Sequence, residues 1–358
     1  MFQLVPALHR GDAIGDEVIV LHRTFASWGM RAGIVCPSPD AGLEEAVVDP
    51  AALTADGDTV LVLHFALPSA LTALFGTSAA AARVLIHHNL TPPRFFAGDS
   101  EELFAISRLG REHLLSIAGA THLGLADSSF NEQQLRELGY TRTGVLPIML
   151  DAAKYRQVPN PVLLAGLRGG ARNAAPPPRV LFVGRIAPNK RIEDVIAAFS
   201  SYQRHLQPAA HLDLAGKVAS APYYQTLLQL VRRLGVRNVR FYGHVTDAEL
   251  LALFTAARAF VCLSAHEGFC VPLIEAMTMG VPVIAKAAAA VPETLGDGGV
   301  LLSSPSAAEV AHALHAAVEP GPVREKLIAA GRRRAAAMSP TRHLPRLQEQ
   351  ILSLLEPR

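Results

Sequence analysis

The chain has 358 residues, 50% of them hydrophobic and 18% charged, with a formal net charge of +2. On a prior of roughly 100–200 residues per domain this suggests two globular domains and excludes a disordered chain, while the charge balance says little about nucleic acid or membrane partners. Cys36, Cys262 and Cys270, without CxxC spacing, argue against a disulfide framework or a structural zinc site and fit a reducing compartment.

The opening residues, Met1 to Pro6, lack a basic segment and a small-residue cleavage site. No apolar run approaches the ~18 residues that a spanning helix needs. The expected location is therefore cytoplasmic. In chain order, strands are predicted at Phe2–Leu8, Gly33–Cys36, Thr59–Phe65, Arg83–His87, His122–Ala126 and Gly144–Ile148. Amphipathic segments such as Gly15–Trp28 and Asn131–Leu138 separate them. Continuous apolar strands alternating with helices indicate a parallel sheet covered on both faces. The stretch from Pro159 to Pro178, with Gly166, Gly169, Gly170 and three consecutive prolines, reads as a linker or hinge. The rhythm then restarts with strands at Arg179–Val183, His211–Ala215, Val239–Tyr242, Phe260–Ser264, Val281–Ala285 and Val300–Leu302. Helical periods at Arg191–Leu206, Tyr223–Leu234, Asp247–Ala257, Pro272–Met279 and Ala307–Val318 interleave with them.

The resulting class is α/β, with two doubly wound Rossmann-like domains facing across a cleft. Residues 1–165 form the first domain, 166–178 the linker and 179–335 the second domain. In residues 336–358, Leu344, Leu347, Ile351 and Leu355 recur at helical spacing, so this helix packs on the second domain or crosses back to the first. Two basic clusters, Arg232 to Arg240 and Arg332 to Arg334, read as solvated helix faces, with a weakly membrane-attracted surface as the alternative.

Two segments carry the chemistry. After the strand Arg179–Val183 come Gly184 and Arg185, then Lys190 and a helix. Two cations beside a helix N-terminus suit a diphosphate, because free N–H groups and the positive dipole end add to the fixed charge. After Phe260–Ser264 comes His266-Glu267-Gly268-Phe269-Cys270-Val271-Pro272, with Glu275 one turn into the next helix and Gly280 closing it. Gly268 is suited to a positive φ, Pro272 to the first helical position and Gly280 to the C-terminal stop. Carboxylates at Glu267 and Glu275 can each accept from vicinal hydroxyls, so the ligand these segments suit carries both phosphate and polyol. No GxGxxG fingerprint of a nicotinamide enzyme follows a strand.

These residues resemble the retaining group 1 glycosyl transferases of GT-B fold. The resemblance rests on Phe182-Val183-Gly184-Arg185 with Lys190, Glu267-Gly268-Phe269 with Pro272 and Glu275, Gly280-Val281-Pro282-Val283, and Val291-Pro292-Glu293-Thr294 followed by Gly298-Gly299. It implies transfer of a hexose from a nucleotide diphosphate sugar, GDP- or UDP-linked, to a hydroxyl acceptor, with retention and without a metal or other cofactor. By the same resemblance Gly184, Arg185 and Lys190 hold the diphosphate, and Arg185 and Lys190 stabilise the departing charge. Glu267, Gly268, Phe269, Cys270 and Val271 lie at the sugar, Glu275 binds ribose, and His244 and Val245 line the base. In the first domain Gly15, flanked by Asp12 and Asp16, matches the glycine-rich loop near the donor phosphates. His88 matches the histidine that contacts the sugar or the transition state, with His87 as its rival. Ala126-Asp127-Ser128-Ser129 resembles a strand-to-helix serine segment, or is a helix cap. The run Ala287 to Ala290 stands where relatives tend to carry glycine and a more polar residue. The implied acceptor is a saccharide, lipid-linked in surface polysaccharide synthesis, which would bring the protein to the inner face of the membrane; a nucleic acid is not expected. An epimerase on a similar scaffold and a non-catalytic nucleotide-sugar-binding subunit are the alternatives from other classes.

Overall fold

The computed structural model describes all residues except Arg10, 45–46, Pro50, 51–52, 54–57, Ala152, 170–175 and 357–358. Two compact units emerge. The first comprises Met1–Arg94, Glu101–Asp151 and Met338–Arg358; the second comprises Phe95–Ser100 and Ala152–Ala337.

In the first unit β1 (Phe2–Leu4), α1 (Ala13–Ser27), β2 (Gly33–Val35), β3 (Val60–Phe65), α2 (Ala70–Thr77), β4 (Ala82–His87), α3 (Glu101–Ile117), β5 (Leu123–Ala126), α4 (Ser129–Glu137) and β6 (Thr143–Val145) follow in order. All pairings are parallel, in the order β2-β1-β3-β4-β5-β6. Nearly every residue of these strands is buried, which is why they read as continuous apolar runs. Polar residues inside them, Gln3 and His64, are therefore exceptions that need partners.

The second unit contains α5 (Pro161–Arg168), β7 (Arg179–Val183), α6 (Ile192–His205), β8 (His211–Ala215), α7 (Ala221–Leu234), β9 (Val239–Gly243), α8 (Asp247–Ala256), β10 (Ala259–Cys262), α9 (Val271–Thr278), β11 (Val283–Lys286), α10 (Val291–Leu295), β12 (Val300–Leu302), α11 (Ala307–Val318) and α12 (Pro322–Ala337). Its parallel sheet runs β12-β11-β10-β7-β8-β9, the strand order of a dinucleotide-binding fold read from its far edge. Thr246 with Glu249, and Ser306 with Glu309, form capping boxes on α8 and α11, and Gly235 closes α7 in the left-handed region.

The chain divides at Asp151, not at residue 165. Residues 161–168, read from sequence as part of a hinge, are a helix. Asn160 caps it through Leu163 N–H, Pro161 starts it, and Asn160 N–H donates to the Ala248 carbonyl at the start of α8. Within the expected linker 166–178, residues 170–175 lie outside the described residues. The terminal helix α13 (Pro340–Leu352) belongs to the first unit. Leu347 and Ile351 are buried in the cluster formed by Val62, Val84, Ile86 and Leu125.

Truncating a buried leucine removes its transfer free energy and leaves a cavity, together about 2–5 kcal/mol. Leu347→Ala should therefore lower the protection of β4 and β5 amides in hydrogen exchange while leaving the second sheet unchanged. Equal loss in both sheets would contradict the assignment of α13 to the first unit.

Candidate functional site

In a doubly wound sheet the crevice at the carboxyl ends opens where strand order reverses, since neighbouring connections leave toward opposite faces. In the second unit that point lies between β7 and β10. Gly184 follows β7 with φ 155, and Gly216, φ 146, follows β8; a Cβ on Gly216 would stand 1.9 Å from the Gly184 carbonyl oxygen. Only glycine allows the two strand ends to come this close.

Lys190 Nζ meets Glu267 Oε2 at 2.6 Å, so the two sequence motifs converge. Ser264 Oγ donates to Glu267 Oε1 at 2.7 Å, and Ala290 N–H donates to the Glu267 carbonyl. Asn189 joins the same loops: its Nδ2 donates to the His266 carbonyl, and its own carbonyl accepts from Ala265 N–H. Arg185 is exposed, and no ion pair among the described residues involves it. Glu275 is buried at 5% exposure on α9 and accepts from the Tyr155 hydroxyl at 3.1 Å. His244 is exposed and Val245 half-buried after β9.

The two helix starts differ. Ile192 N–H of α6 is taken by the Tyr223 hydroxyl, and the first turn carries Glu193 and Asp194, both paired with Arg191. This corrects the expected anion site at that helix, because two acids and a bonded N–H disfavour a phosphate there. The start of α9 has no acid in its first turn and no side-chain cap. Positive φ falls on Cys270 at 71°, not on Gly268. Phe269 and Cys270 are buried and Val271 is half-buried. Ala289 adopts φ 48, a left-handed conformation in which glycine would be unstrained.

Among the described residues two groups of acids, histidines and cysteines lie close enough to touch one ion: Cys262 with Glu267 and Cys270, and Glu17 with His64 and His88. In the first group the Sγ atoms are 3.7 Å apart, all three cysteines of the chain are free thiols, and Glu267 is already committed to Lys190 and Ser264.

The second group lies at the switch point of the first unit, between β1 and β3. His88 Nδ1 is 3.0 Å from Asp127 Oδ1, and His88 Nε2 is 3.0 Å from His64 Nδ1. His64 Nε2 faces Gln3 Oε1 at 2.9 Å, and Gln3 Nε2 donates to the Val18 carbonyl at 3.0 Å. Glu17 Oε1 accepts from Met149 N–H, while Oε2 lies 3.7 Å from His88 Nε2 and has no hydrogen-bond partner. All five side chains are buried. His87 is also buried and reaches Gln134 instead. Ser128, not Asp127, caps α4. Gly15 packs in the first turn of α1, where a Cβ would stand 2.2 Å from the His9 carbonyl oxygen; its N–H points to the Asp12 carboxylate.

Burial pushes the Glu17 carboxyl up to about 8, despite the nearby His88 charge. For His88 burial acts downward, but the Asp127 carboxylate, with Glu17 and Asp12 behind it, outweighs this and carries the imidazole to about 9. Burial lowers His87 to about 4 and His64 well below the usual histidine range. Sequence reasoning missed Gln3, Glu17, His64, Asn189 and Tyr155. Of these, only the lone polar residues within apolar strands, Gln3 and His64, gave a signal.

Glu17 and His88 both bind protons more tightly folded than unfolded, so their stabilisation is present at low pH and lost as pH rises through about 8 and about 9. His64 and His87 act oppositely, but below 6.5. The melting temperature of the first unit should fall between about pH 6.5 and pH 9, and Glu17→Gln should flatten that fall. A variant with the wild-type slope in differential scanning fluorimetry would refute the assignment to Glu17.

Residues 169–334 match a family model described as "Glycosyl transferases group 1". The chain is similar to "O-antigen chain mannosyltransferase B" of Escherichia coli, 36% identical over 123 residues, which are 34% of this chain and 32% of that one. It is also similar to a "GDP-mannose-dependent alpha-(1-6)-phosphatidylinositol monomannoside mannosyltransferase" of Mycobacterium tuberculosis, 32% identical over 158 residues, 42% of this chain and 39% of that one. It thus spans only about a third of the length of these relatives. In fold it is similar to a sucrose-phosphate synthase from Thermosynechococcus elongatus, with TM-score 0.74, 19% identity and coverage of 99% and 98% of the two chains.

Proposed function

We propose that this chain, of which residues 169–334 match the group 1 glycosyl transferase model and whose fold is GT-B, transfers a hexose from a nucleotide diphosphate sugar to a hydroxyl acceptor, with retention of configuration. The observation that carries this reading is the convergence of Lys190 and Glu267 beside the exposed Arg185 at the β7/β10 switch point. A leaving diphosphate needs fixed positive charge, and two cations held by packed strand ends supply it without a metal. The open start of α9 at Phe269, Cys270 and Val271 adds backbone N–H groups. On binding, Lys190 exchanges Glu267 for phosphate oxygen, and Glu267, still held by Ser264, turns its free oxygen to a sugar hydroxyl. Glu275, beside Tyr155, takes the ribose, and His244 and Val245 line the base. Gly184 and Gly268 let the backbone approach.

The sugar we propose is mannose and the donor GDP-mannose, because two relatives of the second unit bear mannosyltransferase names, one of them GDP-mannose-dependent. The proposed acceptor is a saccharide, lipid-linked in surface polysaccharide synthesis, met at the cytoplasmic face of a membrane. No helix among the described residues is long and apolar enough to cross one. In this reading the protein meets the membrane through basic surfaces such as Arg232 and Arg233 on α7.

A nucleotide that binds only the folded protein stabilises it by about 2.7 kcal/mol at a hundred times its dissociation constant. In a thermal-shift screen of GDP, UDP, ADP and TDP, GDP should raise the melting temperature most, and Arg185→Ala and Glu275→Ala should abolish the rise. A shift with UDP alone would replace the donor; none with any nucleotide would sink the donor site. Lys190→Ala should lower kcat/KM for mannosyl transfer by about 100-fold or more, read as free nucleotide released only when acceptor is present. Release without acceptor consumption would favour another reaction class.

A further inference from the structure

The hydrogen-bond chain at the β1/β3 switch point has a direction, and the direction fixes a charge. A carbonyl oxygen cannot accept from another oxygen without a hydrogen, so the Gln3 amide must turn its Nε2 to the Val18 carbonyl. Its Oε1 then faces His64 Nε2 at 2.9 Å, and that nitrogen must carry the hydrogen. A neutral imidazole has one hydrogen, so His64 Nδ1 is bare and can only accept. It faces His88 Nε2 at 3.0 Å, which must therefore donate. On the other side His88 Nδ1 lies 3.0 and 3.3 Å from the two Asp127 oxygens, as an N–H shared between carboxylate oxygens would. We propose that Gln3 and His64 are positioning residues that hold the His88 ring as a doubly protonated imidazolium, a fixed positive charge built into the first unit.

Two observations support it. The titratable groups facing His88 are Asp12 at the N-cap of α1, Glu17 within α1, His64 from β3, His87 beside it on β4 and Asp127 after β5. Their balance carries His88 to about 9 and keeps His64 neutral, as the bond directions require. Burial pushes both the Glu17 and the Asp127 carboxyls up and the His88 charge draws both down, and of the two it is Asp127 that is hydrogen-bonded to the ring. The two ring planes lie 6° from parallel with centroids 5.2 Å apart, and the 3.0 Å between His64 Nδ1 and His88 Nε2 is the length of an N–H···N hydrogen bond.

The catalytic meaning of this charge rests on the transferase reading, in which His88 serves the transferred sugar or the transition state. Its protonation does not. An imidazolium that cannot lose its proton in the working range, with both N–H groups committed to His64 and Asp127, offers electrostatic stabilisation and cannot act as a general base.

The test uses the full chain labelled with 15N-histidine, with both ring nitrogens followed by long-range proton correlation from pH 5 to 10. His88 should show two protonated nitrogens at pH 7 and lose one only near pH 9, and His64 should be the Nε2–H tautomer throughout. Gln3→Leu frees His64 to turn its tautomer and donate to His88, so the His88 transition should move down by at least one pH unit. Gln3→Glu, protonated in this buried place, keeps both the acceptor and the donor and should restore it. In activity, the alkaline limb of kcat should move with the His88 transition in Gln3→Leu while KM stays near wild type. A neutral His88 at pH 7 in the wild-type protein overturns the proposal whether or not the variants fold. Release of a stoichiometric metal on chelation, with a change in both ring signals, overturns it as well. Two protonated nitrogens in a protein that transfers no sugar would remove the transferase reading and leave the charge assignment standing.

Discussion

Reversal of strand order beside the first strand of each sheet is the constraint on which the two sites depend. It brings the ends of strands far apart in sequence side by side, with room for side chains but little for water. Ionisable groups placed there lose hydration, and they persist only if paired and hydrogen-bonded. Both switch points follow this rule: Lys190 with Glu267 and Ser264 in the second unit, His88 with Asp127 and His64 in the first.

The two units use the same crevice differently. In the second, the charge is exchangeable. Arg185 is exposed, and Lys190 keeps 14% of its side chain in solvent with a single carboxylate partner. A ligand phosphate can take that partner's place at small cost. In the first unit His88 keeps 1% of its side chain in solvent, and both ring nitrogens are committed to neighbours within the unit. Its charge is held by a network whose members polarise one another, and a ligand would have to break that network to reach the ring. One unit is therefore suited to gain and release an anionic ligand, and the other to keep a constant field.

The sequence displayed the scaffold because parallel strands buried on both faces are nearly continuous apolar runs, as at 60–65 and 83–87, where only His64, Arg83 and His87 interrupt them. It displayed Arg185, Lys190, Glu267 and Glu275 because glycine and proline mark the loops that carry them. It did not display Glu17, which sits in a helix where acids are ordinary surface residues, nor Tyr155, whose partner lies 120 residues away. Pairing of that kind is a property of topology, invisible to local periodicity. The segment at 160–168 is a different failure. Asn160 followed by Pro161 is a helix start, and the surrounding glycines and prolines drew it into a linker.

The loop after β10 explains how an ion pair can be exchanged without losing the site. Cys270 holds φ 71, a conformation that costs a non-glycine residue roughly 1–2 kcal/mol, and such strain persists only where surrounding contacts over-determine it. Here they do. Cys270 is buried with its Sγ 3.7 Å from Cys262, its carbonyl accepts from Leu273 N–H, and Asn189 and Ala290 tie the residues just before it to two other loops. Glu267 is held by Ser264 and through its backbone as well as by Lys190. Withdrawing the lysine toward a phosphate therefore removes one of its restraints and leaves the carboxylate in place. The loop stays rigid while the charge moves, and in the proposed reaction that separation would let one pair of residues meet both the diphosphate and the sugar of the donor.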